Sequence, residues 1–367
     1  MTLRRFDFTN RRRAPVQPEP RNSVGSVSMN RFGVFTALLV LLGATTGAAS
    51  PVDQQPLVVT ASNASANQLL VYTPGGKLLQ TLSTHGTGGV SGNSGGIVAK
   101  GSLVAVVNFG SNSVSVFERH SDSLRLSQTI STAASPVSVA FGHDHLYILG
   151  TTSVESHKRY GSDISRSPDG VAPLLKADGS AAQVGVVTGA LVISEKSNVI
   201  ETVGLLDDGS VSGTAMLVQN IPANVNAPFG LVTRGDDAYV TIAHANEISL
   251  VRNGDVLAVT GSGTQSAPCW LALEGPFLFS SNSPSKSVSR YAVYGRKIVQ
   301  DAAVAASFNG SPTDIATADG WVSVIDGNGT VSHLSTFRLD EDGNLTLQTA
   351  VTLGLGANGV AIVRGED

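Results

Sequence analysis

After residue 50, the apolar positions of the chain fall in short runs separated by turns rich in Gly, Asn, Asp and Pro. The clearest stretch is residues 268–291, where two apolar runs and one alternating run are joined by turns at residues 274–276 and 282–284. Short runs bounded by such turns predict β-strands. The stretch therefore predicts three antiparallel strands of one small sheet.

This unit recurs along the chain with a period of 40 to 47 residues, and its copies begin at Gly96, Pro136, Ala182, Pro228, Pro268, Pro312 and Gly359. A period in the forties made of short strands predicts an all-β protein, a seven-bladed β-propeller. The last copy is a single strand, and three further strand-like runs lie between residues 57 and 82. We expect the C-terminal strand to pair with these runs and close a seventh blade, which would leave no open edge.

Two segments depart from the strand pattern. Residues 83–95, THGTGGVSGNSGG, are rich in Gly and Ser and predict a loop. Residues 151–177 lose the periodicity and predict an irregular excursion from the third unit. No segment after residue 50 combines helical periodicity with capping residues.

The N-terminus has a different composition. Seven Arg residues accompany an apolar run at residues 32–42, and small residues follow up to Ser50. This order predicts a secretory signal peptide that is cut near Ala49, with an uncleaved signal anchor as the alternative and Met29 as a second candidate start. We therefore expect residues 1–49 to precede a single propeller domain, residues 50–367, that is extracellular or periplasmic and does not stay inserted in a membrane.

Cleavage would make the mature chain acidic. It removes seven Arg and two acidic residues, so that 24 basic and 28 acidic residues become 17 and 26, a net charge of −9. An acidic surface disfavours nucleic acid and anionic membranes as partners. The only cysteine, Cys269, excludes an internal disulfide. We expect a monomer that binds a small molecule or a protein partner.

Five stretches carry a resemblance to a known family. They are NFGSNSVSVF from Asn108, VISEKSNVIETV from Val192, APFG from Ala227, APCW followed by SSNSPSKSVSRY, and SPTDIA from Ser311. Over residues 57–363 the chain resembles the lactonase-like seven-bladed propellers, which include enzymes of the 6-phosphogluconolactonase and carboxymuconate cyclase types. Within that family it is most similar to secreted members of unsettled activity.

The resemblance implies a small-molecule site in the central funnel, but one expected motif is missing. Catalytic branches of the family typically have a His-x-His pair ahead of an Asp-Leu-Gly stretch in a middle blade. Here the only His-x-His spacing is His143 and His145, in a turn on the opposite face, and no Asp-Leu-Gly stretch follows it. We therefore do not infer the lactonase mechanism for this chain.

The predicted topology brings the turns between second and third strands, and the loops before first strands, to one face of the ring. Opening a lactone needs a base that activates water and a donor that polarises the carbonyl. We assign these roles to Glu195 and Lys196, and expect the substrate-binding residues to be Asn108, Phe229, His244, Trp270, Asn282 and Asp314. The alternative is that Glu195 and Lys196 form a surface ion pair and that the Asn residues stabilise turns.

No cofactor or metal is expected. His143 and His145 alone cannot complete a metal site, and the acidic run at residues 340–343 reads as a hairpin turn. Two functions stay open from the sequence. One is a lactonase-like hydrolase or cyclase that acts on a small lactone in the funnel, and the other is a non-catalytic secreted or cell-surface propeller that binds a ligand or a protein.

Overall fold

The computed structural model describes residues 55–218 and 227–365 of the chain. These residues form 29 strands and two short 3-10 helices, Phe109–Ser111 and Ala243–Ala245. The predicted signal peptide lies outside the described residues. Within the described part, no helix has both the length and the apolar character needed to cross a membrane.

The first three blades are built mainly from strands β1 to β12. Blade 1 contains β1 (Leu57–Ala61), β2 (Gln68–Tyr72) and β3 (Leu78–Ser83). Blade 2 contains β4 (Ile97–Lys100), β5 (Leu103–Asn108), β6 (Ser113–His120) and β7 (Ser123–Ser131). Blade 3 contains β8 (Pro136–Phe141), β9 (His145–Gly150), β10 (Ser153–Tyr160), β11 (Asp163–Ile164) and β12 (Gly170–Pro173).

The other four blades each have four strands in the described residues. Blade 4 contains β13 (Ala181–Val187), β14 (Ala190–Glu195), β15 (Val199–Leu205) and β16 (Val211–Leu217). Blade 5 contains β17 (Pro228–Arg234), β18 (Asp237–Ile242), β19 (Glu247–Arg252) and β20 (Asp255–Gly261). Blade 6 contains β21 (Pro268–Glu274), β22 (Phe277–Asn282), β23 (Ser287–Tyr294) and β24 (Lys297–Ser307), and blade 7 contains β25 (Ser311–Ala318), β26 (Trp321–Gly327), β27 (Ser332–Leu339) and β28 (Leu345–Leu353).

The last strand, β29 (Asn358–Val363), closes the ring. It pairs antiparallel with β1, with Leu57 opposite Val363 and Val59 opposite Ala361, and gives blade 1 the strand order β29-β1-β2-β3. The seven sheets form a seven-bladed propeller, which confirms the predicted fold, and the innermost strands β29, β4, β8, β13, β17, β21 and β25 follow one another around the central channel.

Apolar cores lie between neighbouring blades, so the middle strands are covered on both faces. All six residues of β5 are buried, which explains why its sequence LVAVVN is apolar almost throughout. Phe117 and Leu69 are in one core cluster of blades 1 and 2, and Phe279 and Phe337 are in another of blades 6 and 7. Outer strands are more exposed, as in β28, where Leu353 is the one buried residue and the other positions are exposed or half-buried.

Blade 3 differs from the prediction of an irregular excursion over residues 151–177. Strand β10 is regular over eight residues, and β12 pairs with it as the outer strand. The expected periodicity is missing because buried positions of β10 are polar: Glu155, Ser156 and His157 are all buried. The Nδ1 atom of His157 donates to the carbonyl of Ser165 at 2.9 Å, while its Nε2 atom lies 3.2 Å from Glu155 Oε2.

A buried arginine joins the two ends of the propeller. Arg119 on β6 is 1% exposed, and its guanidinium donates to the backbone carbonyls of Val363 at 3.0 Å, Arg364 at 2.6 Å and Gln55 at 2.7 Å. Its Nε atom donates to the carbonyl of Ser121. One side chain therefore holds the first and last segments of the ring against blade 2.

Arg119→Met should lower the free energy of unfolding by about 3 kcal/mol, because the apolar side chain leaves several part-buried carbonyls without a donor. Urea unfolding followed by circular dichroism measures this change. The control is Arg125→Met on the neighbouring strand β7, where the side chain is exposed and the change should be small. Equal stability of the two variants would contradict the role of Arg119 in closing the ring.

Candidate functional site

The loop at residues 84–96, called the crossing loop below, lies over the end of the central channel. It connects blade 1 to blade 2, yet it contacts blade 4 through Ser94 N and Ala182 O at 3.1 Å, and blade 6 through the indole of Trp270. Blade 6 does not adjoin blade 1 or blade 2, so this last contact must extend across the ring. The sequence predicted a loop here but gave no indication of its path.

Asn93 is the residue of the crossing loop with the most contacts to other blades. It is 2% exposed, and its Nδ2 atom donates to the carbonyl of Val137 at 2.7 Å. Its Oδ1 atom accepts from Asn358 Nδ2 at 3.1 Å, and its backbone carbonyl accepts from Trp270 Nε1 at 3.1 Å. Asn93 thereby links blades 1, 3 and 6. Sequence reasoning missed it, since a single Asn in a Gly/Ser-rich segment is an ordinary loop residue.

Trp270 and Phe229, both predicted to approach the channel, lie together at this end of it. Their rings meet edge to face with centroids 5.2 Å apart, and both side chains are nearly buried. The preceding residue, Cys269, donates its thiol to the carbonyl of Ala267 at 3.1 Å, and burial raises the thiol pKa to about 11. At neutral pH this cysteine is therefore a thiol with little nucleophilic character.

Close approach of neighbouring inner strands requires Gly230 next to this aromatic pair. A Cβ atom at position 230 would lie 2.2 Å from the carbonyl oxygen of Cys269. Thr241 lies between the two strands: its hydroxyl oxygen is 3.2 Å from the carbonyl oxygen of Gly230 and 3.1 Å from that of Cys269, and its one proton is shared between them. A glycine at this position is therefore a packing requirement of blades 5 and 6.

Glu195 is the last residue of β14 in blade 4, and its side chain has no solvent-exposed surface. Oε2 accepts a hydrogen bond from Ser180 Oγ at 2.8 Å, and Oε1 is buried without a hydrogen-bond partner. Burial raises the pKa of Glu195 to about 8, with a further contribution from the nearby charge of Glu201. This carboxyl is mostly protonated at neutral pH.

Lys196 does not form the ion pair with Glu195 that one interpretation of the sequence suggested. Its Nζ atom donates to the carbonyl of Gly92 in the crossing loop at 2.6 Å and to the carbonyl of Ala181 at 3.3 Å. Partial burial lowers the pKa of Lys196. The lysine therefore fastens the crossing loop to blade 4.

Asp314 lines the central cavity, in agreement with its predicted position near the channel. Its Oδ2 atom accepts from the backbone N–H of Val360 on β29 at 3.0 Å, and its Oδ1 atom accepts from the N–H of Ile315 at 2.9 Å. Burial raises the pKa of Asp314 to about 7. The carboxyl thus joins blade 7 to the closing strand.

Two further inner-strand side chains make comparable bonds between blades. Ser138 Oγ accepts from the N–H of Val184 at 3.3 Å, and Gln183 Oε1 accepts from the N–H of Leu231 at 2.6 Å. Like Asp314, both follow an irregularity in the register of their strand. This role could not be predicted, because Ser, Gln and Asp share no obvious sequence motif.

Of the three remaining predicted site residues, Asn108 contacts the first residue of the crossing loop, whereas Asn282 and His244 make no contact with that loop in the described residues. Asn108 is buried and bonds to Thr84, Asn67 and Ser115. Asn282 is buried and donates to Ser287 and Ser289. His244 is exposed in the second 3-10 helix. The Asn108 amide therefore joins blade 2 to blade 1 and to the crossing loop, and the Asn282 amide serves the internal hydrogen bonding of blade 6.

A cavity of about 310 Å³ lies below the crossing loop, with Ser94 and Gly95 in its lining. It shares Ala99 with two further cavities of about 340 Å³ each, both of which also reach Lys100. Lys100 ends β4 at the face opposite the crossing loop. Among the described residues, no group of three or more His, Cys, Asp or Glu side chains could hold a metal ion.

Comparisons with known proteins support the fold. A protein of unknown function from Desulfotomaculum acetoxidans superposes with a TM-score of 0.64 at 12% identity, over 85% of this chain and 99% of its own. A Bacteroides fragilis protein provisionally named 6-phosphogluconolactonase gives 0.59 at 14% identity, over 86% and 99%. Virginiamycin B lyase from Staphylococcus aureus gives 0.53 at 13% identity, over 74% and 92%.

These likenesses establish the propeller and not an activity, because proteins with different names share the fold at low identity. Neither a family model nor a curated protein matches the chain. The relation to lactonase-like propellers therefore rests on the shared architecture.

Glu195 should make stability depend on pH. Because its folded-state pKa of about 8 exceeds the ordinary value of 4.5, the folded protein holds more protons than the unfolded chain between these two values. Its contribution to stability is therefore fully present below about pH 4.5 and is lost as the pH rises through about 8. Asp314 acts in the same direction up to about pH 7.

The Glu195→Gln variant should consequently lose less of its free energy of unfolding than the wild type when the pH is raised from about 5 to about 8. Melting temperatures across this range measure the difference, with Glu341→Gln in the exposed hairpin turn as the matched control. A variant with the same pH dependence as the wild type would show that Glu195 ionises normally.

Proposed function

We propose that this chain is a secreted, non-catalytic binding propeller. The observation that carries the proposal is the crossing loop, which lies over the end of the channel where the sequence placed a lactonase-like site. Lys196 and Trp270 hold that loop instead of facing an open funnel. Lys196 and Trp270, which the sequence placed in the site, thus stabilise the ring instead of facing a substrate.

The chemistry of lactone opening also argues against a catalytic role for this site. A general base must reach a water molecule, and an electrophilic donor must reach the carbonyl oxygen. Glu195 has no exposed surface, and its raised pKa keeps it protonated at neutral pH, while the Lys196 ammonium already donates to two carbonyls. Neither group is placed to act on a bound lactone.

Secretion is supported by the Arg-rich start, the apolar run at residues 32–42 and the small residues that follow. An extracellular or periplasmic monomer with a net charge of −9 after cleavage would bind neutral or cationic partners more readily than anionic ones.

A lactonase-like hydrolase or cyclase is the second candidate function. It is favoured by the similarity to the Bacteroides fragilis propeller that carries a lactonase name. It would require access to the channel either past the crossing loop or from the face at Lys100.

The two candidates differ in an activity assay. Purified mature protein and its Glu195→Gln variant are incubated with a panel of lactones, including a phosphorylated sugar lactone and muconolactones. We expect neither protein to exceed the buffer rate. Turnover that Glu195→Gln abolishes would establish the hydrolase with Glu195 in its site, and equal turnover by both proteins would establish catalysis elsewhere in the chain.

A further inference from the structure

Another cavity, called the flank groove below, lies on the flank of the propeller between blades 4 and 5. Its volume is about 820 Å³, within the range of small-molecule sites, which span roughly 300 to 1,000 Å³. Apolar side chains form much of its lining: Val187, Val192, Met216, Leu217 and Val251.

The flank groove exists because the outer strand of blade 4 packs toward blade 3. A Cβ atom at Gly170 on β12 would lie 2.9 Å from the Cγ2 atom of Val211 on β16, so these two strands are in close contact. The outer strands of blades 5 and 6, β20 and β24, also pack together. Among the described residues, a gap is left on the side of β16 that faces blade 5.

The lining combines buried and exposed apolar surface. Val192 and Val251 are 3% and 1% exposed, whereas Met216 is 60% and Leu217 is 44% exposed. Several large apolar groups that converge on one concave surface are a feature of binding sites more than of ordinary surface. Methionine is also suited to such a wall, because its flexible thioether adapts to differently shaped ligands.

Charged groups of the flank groove favour a cationic ligand. Asp236 and Asp255 line it, and neither forms an ion pair in the described residues. The cation in the lining, Arg252, is held by Asp237 through an Nε to Oδ1 contact of 2.6 Å. The uncompensated charge of the lining is therefore negative.

We propose that the flank groove binds a cationic amphiphile. Its apolar body would lie against Met216 and Leu217, above the buried Val192 and Val251, and its ammonium or guanidinium group would lie toward Asp236 and Asp255. This inference rests on the proposed binding function, for which it names the site and the ligand class.

Two probes with the same fluorophore and opposite charges test the proposal. Dansylcadaverine carries an ammonium group, and dansylglycine carries a carboxylate. We expect dansylcadaverine to bind the mature protein at one saturable site with a blue-shifted emission, about tenfold more tightly than dansylglycine. Added salt should reduce this preference, because it screens the two aspartates.

Matched variants assign the site. Met216→Arg places a cation in the wall and should weaken dansylcadaverine binding about tenfold. Leu347→Arg makes a comparable change at an exposed leucine of β28 on blade 7 and should leave binding unchanged. The double variant Asp236→Asn, Asp255→Asn should bring the affinities of the two probes close together while the blue shift persists.

Several outcomes would overturn the proposal. They are no saturable binding of dansylcadaverine, equal binding of the two probes by the wild type, or equal effects of Met216→Arg and Leu347→Arg. Sedimentation that shows a dimer disrupted only by Met216→Arg would assign the wall to self-association instead. Lactone turnover by the same preparation would contradict the proposed function and leave the probe result intact, so the two failures are distinguishable.

Discussion

Closure of the ring is the constraint on which the rest of the structure depends. A propeller buries both faces of each blade only when its first and last segments meet, and here they meet through the pairing of β1 with β29. Two polar side chains reinforce this junction. Arg119 binds carbonyls of both terminal segments, and Asp314 binds the backbone of the closing strand from blade 7. Both are buried, so their hydrogen bonds form where competing water is scarce.

The same constraint accounts for the appearance of the candidate site. Inner strands that crowd around a narrow axis leave backbone groups facing the channel, and these groups need partners. The crossing loop supplies several of them through Asn93, Ser94 and Gly95. Lys196 and Trp270 complete the arrangement from blades 4 and 6. Polar residues at the end of the channel therefore have a structural role, and ligand binding is assigned to the flank, where blades 4 and 5 separate.

Much of the fold could be predicted from the sequence, because short strands, tight turns and a period in the forties are local features. The closing strand was also predictable, since Gly359 repeats the start of the other units. The prediction of an irregular excursion in blade 3 was wrong because Glu155 and His157 are polar residues at buried positions. Hydrophobic periodicity cannot identify a buried polar side chain that has its hydrogen-bond partner within the protein. The roles of Lys196 and Asn93 could not be predicted, because they depend on the path of a Gly/Ser-rich loop that no local pattern specifies.

Hydrogen exchange tests most directly the claim that the crossing loop is an ordered cover of the channel. Its backbone donates from Gly88, Gly89 and Ser94 to carbonyls of blades 1 and 4. The account predicts that peptides covering residues 84–96 exchange as slowly as those of the inner strands, and that Trp270→Phe, which removes the donor to Asn93, accelerates their exchange. Exchange of residues 84–96 in the wild type as fast as in the exposed turn at residues 252–255 would contradict it.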